Sequence, residues 1–323
     1  MKYRLGIDLG GTNIAVVLLN LDDLEKQHKG IIARAHGPTP YTFGYDAVVA
    51  DIARLCFECL KKVDVDIEEV AYAGIGAPGV VDREKGILVY SSNLKFKQVP
   101  LAESLSKLLK IPVYLDNDAN LAALGEMLLG AAQGSKNAVI ITLGTGIGGG
   151  VFVEGKLMLG FNDGAGELGH HVIKAKGRPC TCGRQGCWET YSSARGLLQT
   201  CNEIILDYPA SSLWQHVDAK GQIKDCPTIF AAYDQGDLAA KRIIEEYLQM
   251  LTIGLANIVN LFQPEVIALS GGLSNRSDIL LPNLQSGIAK EVYAYRQLPQ
   301  TKIIKALLGN DAGLFGAALL KEI

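Results

Sequence analysis

Hydrophobic and polar positions along this chain fall into short runs of two different periods. Leu5, Ile7 and Leu9 recur at every second position before Gly10-Gly11-Thr12, and an apolar run from Ala15 to Leu19 follows. Period two marks strands, so residues 3–20 predict two strands around a glycine turn. Residues 46–63 have the other period. Val49, Ile52, Ala53, Cys56, Cys59 and Leu60 fall on one face of a helix. A short buried strand over 71–75 then runs into Gly76-Ala77-Pro78-Gly79. A helix is expected over 101–109 and a strand over 111–115. Asp116-Asn117-Asp118 stands at the carboxyl end of that strand, and residues 119–129 read as helical.

The opening pattern then repeats. Ala138 to Leu143 is apolar, Gly144 to Gly150 is glycine-rich, and Val151-Phe152-Val153 is apolar again. Two such units, each heading alternating strands and helices, suggest a duplicated α/β domain with a cleft between the copies. Residues 209–227 are polar and aperiodic, which predicts a loop or short helix. Residues 237–262 read as one long helix, with Leu248, Leu251, Ile253, Leu255, Ile258, Val259 and Leu261 mostly buried. Strands are expected over 265–269, running into Ser270-Gly271-Gly272, and over 302–307. Asn310-Asp311 is expected to cap a last helix ending near Leu320, because both side chains accept bonds from free first-turn amides.

Composition narrows the picture. The chain has 323 residues, 48% hydrophobic and 20% charged, which suits two ordinary globular domains. A net charge of -3 leaves no electrostatic footprint for nucleic acid or for a membrane surface. Glycine makes up 36 of 323 residues, clustered without a period, so it serves special turns. The start, Met1 to Asp8, lacks a signal-peptide pattern, and the longest uncharged apolar stretch, 138–153, is shorter than the ~20 residues a spanning helix needs. A soluble, cytoplasmic protein is expected. Seven cysteines in such a chain argue against a disulfide framework.

Three glycine turns are candidates for holding phosphates. They are Gly10-Gly11-Thr12 behind Asp8, Gly144-Thr145-Gly146 within the second repeat, and Gly271-Gly272 after a strand. Successive amides in such turns point into one space and attract anions without charged side chains. The plain alternative for each is a tight hairpin. Neither a P-loop nor the Rossmann glycine spacing is present, which disfavours a nicotinamide enzyme. Asp116-Asn117-Asp118-Ala119-Asn120 lies where a strand meets a helix, and an Asp there is placed to take a proton from a hydroxyl that attacks phosphorus, with an Asn beside it to orient hydroxyls. Helix capping is the alternative for both. Cys180, Cys182 and Cys187 with His170-His171 upstream match a closed, four-coordinate structural zinc site. Cys56-x-x-Cys59 lies on the apolar helix face and reads as core. Cys201 and Cys226 carry no pattern, and His28, His36 and His216 read as isolated surface positions.

Together these motifs resemble the ROK family of sugar kinases and regulators, most of all its bacterial glucokinases. The resemblance covers nearly the whole chain. It rests on Asp8-Leu9-Gly10-Gly11-Thr12, Gly76-Ala77-Pro78-Gly79, Asp116-Asn117-Asp118-Ala119-Asn120 and Leu143 to Gly150. Its most specific part is Gly166-Glu167-Leu168-Gly169-His170 followed by Cys180-x-Cys182-Gly183-x-x-Gly186-Cys187-x-Glu189. It implies an actin-like, ribonuclease-H-like ATPase fold of two α/β domains. The smaller would take residues 1–118 and 301–323. The larger, 119–300, would hold the zinc and the dimer interface.

By the same resemblance Asp118 is the general base. Gly79, Asn93, Asn117, Glu167, His170 and Glu189 contact the sugar. Asp8, Gly10, Gly11, Thr12, Gly144, Thr145, Gly146, Gly271 and Gly272 hold ATP with magnesium. His170, Cys180, Cys182 and Cys187 bind structural zinc. The implied activity is ATP-dependent phosphorylation of glucose at its 6-hydroxyl, by a homodimer or homotetramer. An acetamido-sugar kinase (N-acetylmannosamine or N-acetylglucosamine) or a fructokinase is the alternative. A sugar-responsive transcriptional regulator is more remote, since the first motif begins within ten residues of Met1. Three positions depart from the pattern: Asp116 where Glu is common, Trp188 where Leu is usual, and a second histidine, His171.

Overall fold

A computed structural model describes residues 1–26 and 29–321. His28 lies outside the described residues. In chain order the first elements are β1 (Tyr3–Leu9), β2 (Asn13–Asn20), β3 (Ile31–Pro38), α1 (Tyr45–Lys61) and β4 (Val70–Ala77). Then come β5 (Val80–Asp82), β6 (Ile87–Ser91), β7 (Phe96–Val99), α2 (Leu101–Leu109), β8 (Val113–Asn117) and α3 (Asp118–Leu129). The middle holds β9 (Ala138–Leu143), β10 (Ile147–Val153), β11 (Lys156–Leu157), α4 (Glu189–Ser192), α5 (Ala194–Ile204) and α6 (Cys226–Asp234). The chain closes with α7 (Leu238–Phe262), β12 (Val266–Ser270), α8 (Ser277–Glu291), β13 (Lys302–Lys305) and α9 (Ala312–Ala318).

The chain packs as two compact units. The first contains Met1–Ser135, Gly150–Ala165 and Leu307–Ile323; the second contains Lys136–Gly149 and Gly166–Ala306. Helix α3 and residues 150–165 therefore pack with the N-terminal half.

In the first unit five strands run in the order β3-β2-β1-β4-β8. β1, β2 and β3 are antiparallel neighbours, while β4 and β8 join parallel to β1. Helix α1 buries Val49, Ile52, Ala53, Cys56, Cys59 and Leu60 as its periodicity predicts, in one core with Leu105 and Leu109 of α2. The two cysteines are free and fully buried, which bears out core packing over a redox pair. Helix α9 lies so close to β4 that a Cβ on Gly74 would stand 1.9 Å from the carbonyl oxygen of Ala317. Only glycine fits there.

Asp311 stands at the start of α9, but its side chain makes no capping bond. Both its oxygens instead accept from the guanidinium of Arg34, at 2.6 and 2.8 Å. A bidentate ion pair is stronger than a single neutral bond, so it takes the carboxylate away from the helix amides. The expected cap is thus absent. Glu126 was not anticipated at all. It is fully buried, and its carboxylate accepts the amides of Ala131, Leu307 and Leu308 at 2.8, 3.0 and 2.7 Å. Three donated bonds satisfy a charge that would otherwise be costly to bury.

The second sheet runs β11-β10-β9-β12-β13, with β12 parallel to both β9 and β13. Helix α7 is 25 residues long and begins at Asp237, whose carboxylate caps Ala240 and also holds Ser211 and Ser212. That anchor explains how the polar stretch 209–227 is ordered without a hydrophobic period. Leu261, expected to be buried, is 74% exposed near the end of α7. Trp188 is fully buried against α7, where a Cβ on Gly254 would come within 2.1 Å of its ring. Its indole N–H donates to the Met250 carbonyl at 3.1 Å. Among the described residues no helix is long and apolar enough to cross a membrane.

Candidate active site

In the first unit the site is built at the carboxyl ends of the parallel strands. Such ends carry ligands in open α/β sheets because loops can converge there. Asn117 ends β8 and caps α3, accepting the amides of Ala119 and Asn120 at 2.9 and 3.2 Å. Its Nδ2 donates to the Gly79 carbonyl at 2.9 Å. The capping alternative is therefore realised at this residue. One Nδ2 hydrogen is left to face a ligand. Gly79 has a φ of 120°, and a Cβ there would meet the Tyr90 carbonyl at 2.1 Å, so this close approach requires glycine.

Asp118 follows as the first residue of α3. Its Oδ1 accepts the Ala119 amide at 2.9 Å; Oδ2 accepts none among the described residues. Burial raises its pKa to about 6, helped by the negative charge of Asp8 and opposed by the Ala119 amide. Asp8, on β1, is itself raised by burial. Two carboxylates share this part of the unit, and one of them titrates near neutrality.

The first glycine turn is pinned as a hairpin. Gly10 donates its amide to Asn13 at 2.9 Å, and Thr39 closes the turn with bonds of 2.7 and 2.8 Å to the carbonyls of Gly10 and Thr12. The Gly10 amide is thus used within the turn, while the amides of Gly11 and Thr12 donate to no acceptor among the described residues. Asn93 is exposed on the loop after β6, and its Cβ stands 3.3 Å from where a Cβ of Gly11 would be. Gly11, Gly79, Asn93, Asn117 and Asp118 all belong to this end of the unit.

Asp116 has a different task. It is fully buried, accepts from Asn120 at 3.0 Å and the Asn117 amide at 2.7 Å, and lies 2.9 Å from Nε of Arg83. The Arg83 contact is an ion pair rather than an aligned hydrogen bond, since Oδ2 has no bonded partner. Asp116 supports the loop that carries Asn117 and Asp118. Arg83 gave no signal in the sequence, because it lies on a hairpin far along the chain.

The second unit brings Glu189 to its glycine turn. Oε2 of Glu189 accepts the Ile147 amide at 2.8 Å. The Gly144 amide closes onto the Gly146 carbonyl at 3.0 Å. Gly271 has a φ of 84° and would place a Cβ 2.5 Å from the Leu143 carbonyl. A cavity of about 740 Å³ lies beside these turns, lined by Leu143, Gly144, Ala194, Phe230, Gly272 and Arg276 among others. Arg276 stacks 4.9 Å above the Phe230 ring. The apolar wall residues were missed in the sequence, since they come from three helices with no motif of their own.

His170, Cys180, Cys182 and Cys187 place one donor atom each within 4.8 Å of one another, and this set can hold a metal ion. Cys182 and Cys187 sulfurs are 3.7 Å apart, and Cys180 sulfur is 3.6 Å from Nδ1 of His170. Nε2 of His170 points the other way, 3.9 Å from Glu167. His171 is outside the set. Its Nδ1 contacts the Leu168 carbonyl at 2.5 Å, and its ring packs against Trp188. Packing thus occupies His171, and His170 is the histidine grouped with the three cysteines.

Comparison with known proteins places the chain in a family. Residues 4–322 match the ROK family. A glucokinase from Halalkalibacterium halodurans is 34% identical over 321 residues, covering 99% of this chain and 94% of that protein. A glucokinase from Thermotoga maritima is 35% identical, covering 98% of this chain and 97% of that one. Among solved structures, a ROK family glucokinase from Streptomyces griseus in complex with glucose and AMPPNP has a TM-score of 0.77 at 31% identity, covering 98% of both chains.

Proposed function

The chain belongs to the ROK family and has its actin-like ATPase fold, and from that premise we propose that it is an ATP-dependent glucose kinase with Asp118 as general base. The observation that carries the proposal is Asp118 itself. It is a half-buried carboxyl with one oxygen that has no hydrogen-bond partner among the described residues and a pKa of about 6, at the carboxyl end of a parallel sheet. A base tuned upward in this way is ionised at neutral pH yet still basic enough to accept a hydroxyl proton.

The reaction follows. As the sugar 6-hydroxyl oxygen attacks the γ-phosphorus, its proton passes to Oδ2 of Asp118. The bond from the γ-phosphorus to the bridging oxygen breaks, and ADP leaves. Gly79, Asn93, Asn117, Glu167, His170 and Glu189 read the sugar hydroxyls. Asn117 does so through N–H, because its oxygen is occupied by the α3 amides. The amides of the turns at Gly11-Thr12, Thr145-Gly146 and Gly271-Gly272 hold the phosphate chain, and the cavity at Phe230 and Arg276 takes the adenine ring. Gly10 and Gly144 serve by shaping their turns. Asp8 would hold the magnesium that accompanies ATP, which would supply positive charge against the phosphates.

Zinc fits the donor set of three thiolates and one imidazole. Tetrahedral bonds of about 2.3 Å to sulfur and 2.0–2.1 Å to nitrogen require donors roughly 3.6–3.8 Å apart, against 3.7 and 3.6 Å here. Four protein donors leave zinc a structural role. It would fix His170 so that Nε2 is presented to a sugar hydroxyl.

The test is an ADP-release assay with MgATP on protein of measured zinc content. It would be run against glucose, mannose, fructose, N-acetylglucosamine and N-acetylmannosamine. Glucose is expected to give the highest kcat/KM with one zinc per chain. A higher value for an acetamido sugar would move the substrate assignment to amino sugars.

A further inference from the structure

Glu189 stands at the junction of two parts of the second unit. It is the first residue of α4, immediately after the buried Trp188 and the metal-set residue Cys187. Its Oε2 reaches the Ile147 amide at 2.8 Å, and a Cβ on Gly146 would lie 2.3 Å from that same oxygen. The segment is tied to the turn twice more. The Ala194 amide donates to the Gly144 carbonyl at 2.9 Å, and Nε of Arg195 to the Thr145 carbonyl at 3.3 Å. Oε1 of Glu189 has no hydrogen-bond partner among the described residues.

We propose that Glu189 is a positioning residue for the phosphate-binding turn as well as a sugar contact, so that sugar and nucleotide binding are coupled through one carboxylate. The sugar half rests on the function proposed above. Oε2 holds the Ile147 amide, which leaves Thr145 and Gly146 as amides of the turn with no hydrogen-bond acceptor among the described residues. Oε1 accepts a sugar hydroxyl, and that bond immobilises the carboxylate that shapes the turn. Each ligand then finds the other's site better ordered, and the gain in affinity is the same in both directions. Gly146 has no positive φ, so the space taken by Glu189 is what excludes a larger residue there.

Charge and geometry predict opposite signs here. A carboxylate beside a triphosphate repels it, so simple electrostatics says that removing Glu189 tightens nucleotide binding. Positioning says that removal weakens it. The experiment is a titration of each variant with Mg·AMPPNP in the absence of sugar, followed by calorimetry. E189A is expected to bind about tenfold more weakly, as befits loss of one hydrogen bond to a charged acceptor. E189Q keeps an oxygen for the Ile147 amide and is expected to stay within about twofold of the native protein, while its glucose KM rises about tenfold. Should E189A not fold, E189D withdraws the carboxylate by one methylene and is expected to weaken Mg·AMPPNP in the same way. Native or tighter Mg·AMPPNP binding by E189A or E189D overturns the proposal. Because the titration contains no sugar, it gives its answer even where the substrate panel rejects glucose.

Discussion

The two sheets have the same plan and opposite chemistry at their tips. β3-β2-β1-β4-β8 and β11-β10-β9-β12-β13 correspond strand for strand, each with a glycine turn after its central strand. In the first sheet one register row reads Asp8, Gly76, Asp116, with Asp118 just beyond. In the second, Thr142 pairs with Ser270, and their hydroxyls meet at 2.9 Å. At the strand tips of the first sheet burial raises the carboxyls of Asp8 and Asp118, and the charge of Asp8 adds to the rise at Asp118. Hydroxyls and glycine amides at the same place make a neutral cradle that an anion can enter. In the reaction proposed above the first copy supplies the base and the second a phosphate-binding turn, and the charge at the strand tips is what sets them apart.

Removing the acid from the first sheet has the largest expected effect. D118N is expected to lose 10²–10⁴-fold in kcat, the usual range for a general base, with nucleotide KM little changed. Its stability moves the other way. The folded pKa of about 6 lies above the unfolded value of about 3.9. Between those pH values the folded state holds a proton that the unfolded state has released, so stability falls as pH rises through the window. At pH 7 the full cost stands, and D118N is expected to gain about 1–3 kcal/mol in urea unfolding there. A loss of stability in D118N would contradict the burial argument.

Adding an acid to the second sheet should give the next largest effect. S270D places a carboxylate beside the Gly271 and Gly144 turns and is expected to raise the ATP KM about tenfold by like-charge repulsion. S270A removes only a hydroxyl pair and is expected to change ATP KM less than about threefold. Equal effects would break the comparison. The smallest effect is expected away from both tips. R34A removes the exposed pair with Asp311 and should cost about 0.5–1 kcal/mol in thermal unfolding, with kcat unchanged.

What was legible in the sequence follows the range of the interactions involved. Helices α1 and α2 were readable because their buried faces repeat every three or four residues. The glycine turns and the Cys/His set were readable because their chemistry is local. Arg83 on Asp116 and Arg34 on Asp311 were not, since both pairs join residues far apart in sequence. Arg34 also explains why the expected Asp311 cap failed. Glu126 was hidden for a further reason. Its partners are backbone amides, which leave no mark in the sequence. The wall around Phe230 likewise comes from packing of helices, so only the fold reveals it.

The most direct test of the central claim is the pH dependence of kcat/KM for glucose, in the native protein and in D118N. The base works only when ionised, so native activity is predicted to fall about tenfold per pH unit below about 6. The residual activity of D118N is predicted to lack that limb. A native profile flat down to pH 5, or the same acid limb surviving in D118N, would contradict Asp118 as the general base.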